Sequence, residues 1–155
     1  MNFDTGNHRA NLRAAYIQLA CQFDPNTFVT LATNDTGNVI ELTRMLDRFC
    51  GMMDRKLLGH KFHKLTPDQR SDGIFFVEHT ASNIHAHGLV AFRNPKKVNL
   101  ADLTATTWNR LTKAGTSEVV DIYDASRCAS YCTKEMRGSF FDPDQAILVR
   151  QFMKG

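Results

Sequence analysis

The chain is 155 residues long, 43% hydrophobic, with a formal net charge of +3. That length and apolar content suit one domain with a real core. No apolar run approaches the roughly 20 residues that cross a bilayer, and Met1–His8 lacks the charged-then-apolar layout of a secretory signal, so a soluble, cytoplasmic protein with no membrane partner is expected. The four cysteines, at 21, 50, 128 and 132, form no paired framework, and reduced thiols are expected.

Residues 8–22 place Leu12, Ala15, Tyr16, Leu19 and Ala20 at helical spacing, ended by Asp24-Pro25. The β-branched and aromatic run Thr27–Thr33 reads as a strand closed by Asn34-Asp35-Thr36-Gly37. Asn38 can cap a second helix, with Glu41 as reciprocal partner. Leu42, Met45, Leu46, Phe49, Cys50, Met53 and Leu57 make its apolar face, which runs to about Leu58-Gly59. His60–Ser71 is a connection with one helical turn opened by Thr66-Pro67-Asp68-Gln69. From Arg44 to Arg70 there are seven Lys or Arg against three acids. That balance suits a phosphate backbone and equally a solvated helix face.

Gly73–Arg93 is two apolar runs joined by Thr80-Ala81-Ser82-Asn83, a β-hairpin pattern. Side chains alternate along a strand, so His85 and His87 point the same way, roughly 6.5–7 Å apart. With a four-residue link, His79 faces Ile84 and Glu78 faces His85, with Cβ atoms of opposed residues about 5 Å apart. Two imidazoles and a carboxylate then converge as a cation site; three polar residues on a wet sheet face are the bland alternative. After Asn94-Pro95 comes a helix capped by Asn99 and running to Lys113, with Trp108 expected in the core. Glu118–Tyr123 is a strand, and Asp124 caps a helix from Ala125 to about Arg137, stopped by Gly138. A turn at Asp142-Pro143-Asp144 follows, and Phe140–Gly155 is left without a defined element.

The order strand, helix, strand, strand, helix, strand between 27 and 123 predicts an α+β fold of the ferredoxin-like, split βαβ kind. Right-handed crossovers put the first and third strands in the centre of an antiparallel sheet. The crossover helices cover one face, against Ala86, Gly88, Val90 and Phe92, and the last helix covers the face that bears Glu78, His85 and His87. On that helix Ala125, Cys128, Ala129, Cys132 and Met136 form a small apolar side, so Cys128 and Cys132 are expected as core thiols rather than half of a zinc site. Arg127, Tyr131 and Lys134 lie together on a neighbouring side. A phenol beside a bound cation can attack a phosphodiester, the cation offsetting charge that grows on the phosphoryl oxygens; for Tyr131 alone, an ordinary core or surface tyrosine is the simpler account.

These residues resemble the HUH endonucleases, in particular the single-tyrosine replication initiator (Rep) branch. His85-Ala86-His87 matches its His-hydrophobic-His motif, with a small residue in the hydrophobic slot. Tyr131-Cys132-Thr133-Lys134 matches its Tyr-x-x-Lys motif, and Phe28–Thr33 looks like its apolar, Thr-rich first strand. Glu78 stands where several members carry a third, carboxylate ligand. The resemblance implies a single HUH domain over 1–155, with a core at about 27–137, the amino-terminal helix at 8–22 and a short extension at 140–155. It implies nicking and joining of single-stranded DNA at an origin or hairpin through a 5′-phosphotyrosine on Tyr131, as in rolling-circle replication of a plasmid, phage or similar element in a prokaryotic host. It further implies Mn²⁺ or Mg²⁺ on Glu78, His85 and His87, a supporting charge from Lys134, and a separate helicase and host replication machinery as partners. Arg127, Lys56, Lys61 and Lys64 are the candidate DNA backbone contacts.

Three alternatives remain. Single-tyrosine transposases share the length and motif order but usually carry Gln after the tyrosine; conjugative relaxases, with the tyrosine ahead of the histidines, fit poorly. A non-catalytic RNA-binding module lacks its aromatic signature here, since Phe75 should face the helices. A metal-dependent phosphoesterase using water would leave Tyr131 a bystander.

Overall fold

The computed structural model describes residues 5–35, 37–78, 83–134 and 145–153. In chain order it contains α1 (Thr5–Gln22), β1 (Thr27–Ala32), α2 (Val39–Leu58), β2 (Asp72–Glu78), β3 (His85–Ala91), α3 (Leu100–Leu111), β4 (Thr116–Asp121), α4 (Ala125–Cys132) and β5 (Ala146–Leu148). The fold is α+β: a five-stranded antiparallel sheet of order β4-β1-β3-β2-β5 between helices. No helix among the described residues is long and apolar enough to cross a membrane.

Local chemistry explains most element boundaries. The side chain of Asn38 accepts the Glu41 N–H at 2.9 Å, satisfying one of the orphan donors of the α2 first turn. Asn99 and Asp124 do the same for α3 and α4, accepting from Asp102 and Arg127. A capping box closes the short 3₁₀ turn Pro67–Gln69. In α2, Leu42, Leu46, Phe49, Met53 and Leu57 are at most 1% exposed. At about 1.5–3 kcal/mol per large apolar side chain removed from water, that stripe contributes on the order of 10 kcal/mol gross. It packs with Trp108 of α3 against Val29, Leu31, Phe75, Val77, Ala86, Val90 and Phe92. Gly88 lies in this layer because a Cβ there would collide with the Phe75 ring.

The opposite face of the sheet carries Ile74, Phe76, Leu89 and the half-buried Phe28. It packs against Tyr16, Ile17 and Ala20 of α1 and Cys128, Ala129 and Cys132 of α4. Both cysteines thus belong to an apolar layer, and burial raises both thiols above their ordinary value.

Four expectations change. β4 starts and ends two residues earlier than the apolar run suggests, because its register on β1 pairs Thr116 with Ala32 and Asp121 with Thr27. The α3 helix ends at Leu111 rather than Lys113, its last turn closed by Thr112 N–H on the Trp108 carbonyl. The tail contributes β5, which pairs Ala146, Ile147 and Leu148 with Phe76, Phe75 and Ile74. This fifth strand departs from the four-stranded split βαβ sheet expected: β2, an edge strand in that scheme, becomes interior and is buried along its whole length. The last helix ends at Cys132, its C-cap at Thr133, well short of the end expected near Arg137; the expected partner position of His79, Met136, the Gly138 stop and the turn at 142–144 lie outside the described residues.

A candidate metal centre beside Tyr131

Strand register assembles the centre. Glu78 is the last residue of β2 and pairs with His85, the first of β3; His87 pairs with Phe76 on one side and Thr30 of β1 on the other. All three polar side chains lie on the face covered by α1 and α4. One carboxylate oxygen, Glu78 Oε2, sits 3.3 Å from His85 Nε2 and 3.1 Å from His87 Nε2. One ligand atom from each residue lies within 4.8 Å of the others, so the cluster could hold a metal ion. Adjacent ligands of an octahedral ion at about 2.1 Å are themselves about 3.0 Å apart, close to these separations.

The surroundings orient the imidazoles. His85 Nδ1 lies 3.2 Å from the carbonyl of Asn83, which can only accept, so Nδ1 is the donor there and Nε2 is the ring nitrogen turned toward Glu78. A ring nitrogen and a carboxylate oxygen 3.3 Å apart call for a proton or a cation between them. His87 Nδ1 is 3.0 Å from Thr30 Oγ1, and in the tautomer with a free Nε2 the ring donates to that hydroxyl. Such outer partners fix ring orientation in metal sites. Phe28 stacks on His87, with ring centroids 5.5 Å apart and planes 13° from parallel.

Glu78 is 2% exposed, and its Oε1 is buried with no hydrogen-bond partner among the described residues. A buried carboxylate oxygen with nothing to accept from is expensive unless a cation faces it. Burial alone would raise this carboxyl. The hydrogen bond from His87 and the charges of His87, Lys134 and His85 outweigh it and hold the group below its ordinary value. The site favours an ionised carboxylate, as cation binding requires.

Tyr131 stands beside the cluster. Its ring lies edge-on to His87, centroids 5.9 Å apart, and edge-on to Phe28 at 6.5 Å. Fifty-three per cent of the residue is exposed to solvent. Lys134 Nζ stands 4.1 Å from the Tyr131 ring centroid, a cation–π distance. Arg127 lies one turn before Tyr131 on the same helix and is exposed.

Sequence reasoning missed the clamp that holds this helix. Arg13 of α1 donates from Nη2 to the Ser130 carbonyl and hydroxyl, both at 2.8 Å, and from Nε to Thr133 Oγ1 at 3.2 Å. A guanidinium thus satisfies groups at the α4 C-terminus on both sides of Tyr131 in sequence. Nothing local marks Arg13, which is 117 residues away from Ser130. Thr30 was legible as part of a Thr-rich strand, but its role needed the register that sets it opposite His87.

Lys56, Lys61 and Lys64 are not brought to this centre. They lie at the end of α2 and just after it, in the layer on the opposite face of the sheet. The start of α2, not its end, is near the metal end of the sheet: Leu42 and Glu41 line one cleft with Thr33 and Ile84. Lys56, Lys61 and Lys64 therefore stand apart from the cluster of Glu78, His85 and His87.

The chain matches no family model, no curated protein and no solved structure.

Proposed function

We propose that the chain is a metal-dependent endonuclease of the HUH initiator type that nicks and rejoins single-stranded DNA through Tyr131. In this reading the sheet is a ferredoxin-like split βαβ unit, with β1 and β3 inside it, extended by β5. The single observation that carries the proposal is the Tyr131 ring set against His87, one of three converging potential ligands, and open to solvent.

Glu78, His85 and His87 would hold the cation, and one carboxylate with two imidazoles suits Mn²⁺ or Mg²⁺, which keep positions open for phosphate oxygens and water. When bound, the ion supplies charge that offsets the negative charge growing on the phosphoryl oxygens. Tyr131 Oη attacks phosphorus, the Oη–P bond forms, and the P–O3′ bond breaks. The phenolic proton leaves to solvent and the departing 3′-oxygen takes one up. The product is a 5′-phosphate ester of Tyr131 and a free 3′-hydroxyl, and reversal with another 3′-hydroxyl joins ends. Lys134, over the Tyr131 ring and close enough to lower the Glu78 carboxyl, supplies positive charge near the phenolate and the phosphate. Thr30 and Asn83 fix the imidazoles, and Arg13 fixes the helix. A strand at an origin or hairpin is the substrate of this reading, with a separate helicase and host replication proteins acting in the cytoplasm.

A labelled single-stranded oligonucleotide pool incubated with the protein and Mn²⁺, then run under denaturing conditions, tests this. The expected product is a protein–DNA adduct, lost in Tyr131→Phe while metal binding persists. Cleavage that survives in Tyr131→Phe without any adduct overturns the tyrosine mechanism and leaves attack by water.

A further inference from the structure

Two basic segments far apart in sequence meet at the end of the molecule remote from the metal centre. The first comprises Arg55 and Lys56 in the last turn of α2 and Lys61 and Lys64 just beyond it. The second is Arg93, Lys96 and Lys97 around the short 3₁₀ turn Pro95–Lys97. Asn94, in a left-handed conformation with φ 53°, joins them by donating from Nδ2 to the Leu57 carbonyl at 3.3 Å. All seven cations are exposed.

Three acids of this region are already engaged. Asp54, 1% exposed, is held by Arg70 Nε at 3.0 Å and by the Ser71 N–H at 3.2 Å. Asp68 and Asp72 are both bound by Arg150. Among the described residues, Arg55, Lys56, Lys61, Lys64, Lys96 and Lys97 have no ion-pair partner, and Asp102 in the first turn of α3 is the acid nearest the second segment in sequence. The result is a cluster of lysines and arginines without ion-pair partners among the described residues on the α2–α3 side of this end.

We infer that this end, formed by residues 55–64 and 93–97, is a second nucleic-acid surface that binds the phosphate backbone of a DNA duplex independently of sequence. Its distance from the cation site follows from the fold. β2 starts at this end, at Asp72, and reaches Glu78 six residues later, roughly 20 Å along the strand, and the patch lies in the α2–α3 layer rather than the α1–α4 layer. One phosphate group cannot touch both. The choice of duplex follows from what the patch lacks. Single strands are held on exposed aromatic platforms, whereas the exposed large hydrophobics of the described residues are Ile40, Val120, Tyr123 and Tyr131, none of them here. Phe62, the aromatic residue within the patch, lies under the Arg70 guanidinium at 5.1 Å. Lys and Arg without stacking partners fit phosphates and the release of their counterions. The inference goes beyond the nicking reading and requires neither metal nor Tyr131.

The test is binding of a random-sequence 20-base-pair DNA duplex, without divalent metal, over a series of salt concentrations, in the wild type and in K61A/K64A/K96A/K97A. Each lysine on a phosphate adds about 1 to the slope of log affinity against log salt. The quadruple variant should lose at least about 2 from that slope, and about tenfold or more in affinity at low salt. Nicking of a short single strand should be unchanged in it, and Tyr131→Phe should bind duplex as the wild type does. Equal duplex affinity and slope in wild type and quadruple variant overturn the inference, as does a loss seen with phosphatidylserine vesicles but not with duplex. Patch-dependent duplex binding by a protein that nicks nothing upholds this surface while removing the endonuclease reading.

Discussion

Replacing Thr30 with valine isolates the outer support of the centre. The change swaps a hydroxyl for a methyl of similar shape and keeps the β-branched side chain that strands favour. It deletes the 3.0 Å contact between Thr30 Oγ1 and His87 Nδ1. His87 is 6% exposed, so water replaces that partner poorly. Two magnitudes follow. Without metal, losing one net hydrogen bond costs about 1 kcal/mol, or about 2–4 °C in melting temperature for a chain of this size. With metal, loss of an outer partner weakens affinity about 10- to 100-fold, equivalent to roughly 1.4–2.7 kcal/mol. Calorimetric titration with Mn²⁺ at fixed pH measures the second quantity, and Thr30→Ser, which keeps a hydroxyl, should recover most of it. If Thr30→Val binds Mn²⁺ as tightly as the wild type while His87→Ala does not bind it, the orienting role of Thr30 is refuted.

Arg13→Ala removes three hydrogen bonds to the end of α4; at partial burial we expect a loss of about 1.5–3 kcal/mol in chemical denaturation. Adduct formation should fall while Mn²⁺ affinity stays within twofold, and Arg13→Lys should restore part of the stability; unchanged stability in Arg13→Ala would show the clamp to be incidental. In the metal-free protein, the depressed Glu78 carboxyl contributes stability that is present above its ordinary value of 4.5 and lost as pH falls through the depressed one. Thermal melts between pH 7 and pH 3 should therefore show a shallower acid decline in Glu78→Gln than in the wild type, and parallel declines would contradict the ionised contact.

Much of the candidate cation site is legible in the sequence, because its geometry is short-range. Alternation along a strand puts His85 and His87 on one face, and a four-residue link sets Glu78 opposite His85, the pairing observed. The α2 cap and apolar stripe and the buried Trp108 were equally local in origin. Trp108 is 0% exposed and its Nε1 donates to the Ala32 carbonyl at 2.9 Å, so the core assignment follows from one apolar residue on a patterned helix face. Less local features were harder to see. The β4 run reads best as starting at Glu118, yet hydrogen bonding to β1 draws in Thr116 and Ser117, which directly follow the Ala114-Gly115 helix stop.

Sequence by itself determined which residues share a face, where helices begin, and that a carboxylate and two imidazoles meet, since periodicity, capping and a short turn act within a few residues. Tertiary structure alone decided that β5 shields β2, that Arg13 grips the helix of Tyr131, that Thr30 holds His87, and that the basic segments gather at the end away from the cation site. Each of those depends on which surfaces remain uncovered once the sheet has formed, and chain segments up to 120 residues apart compete for them through burial and hydrogen bonding rather than through any pattern along the chain.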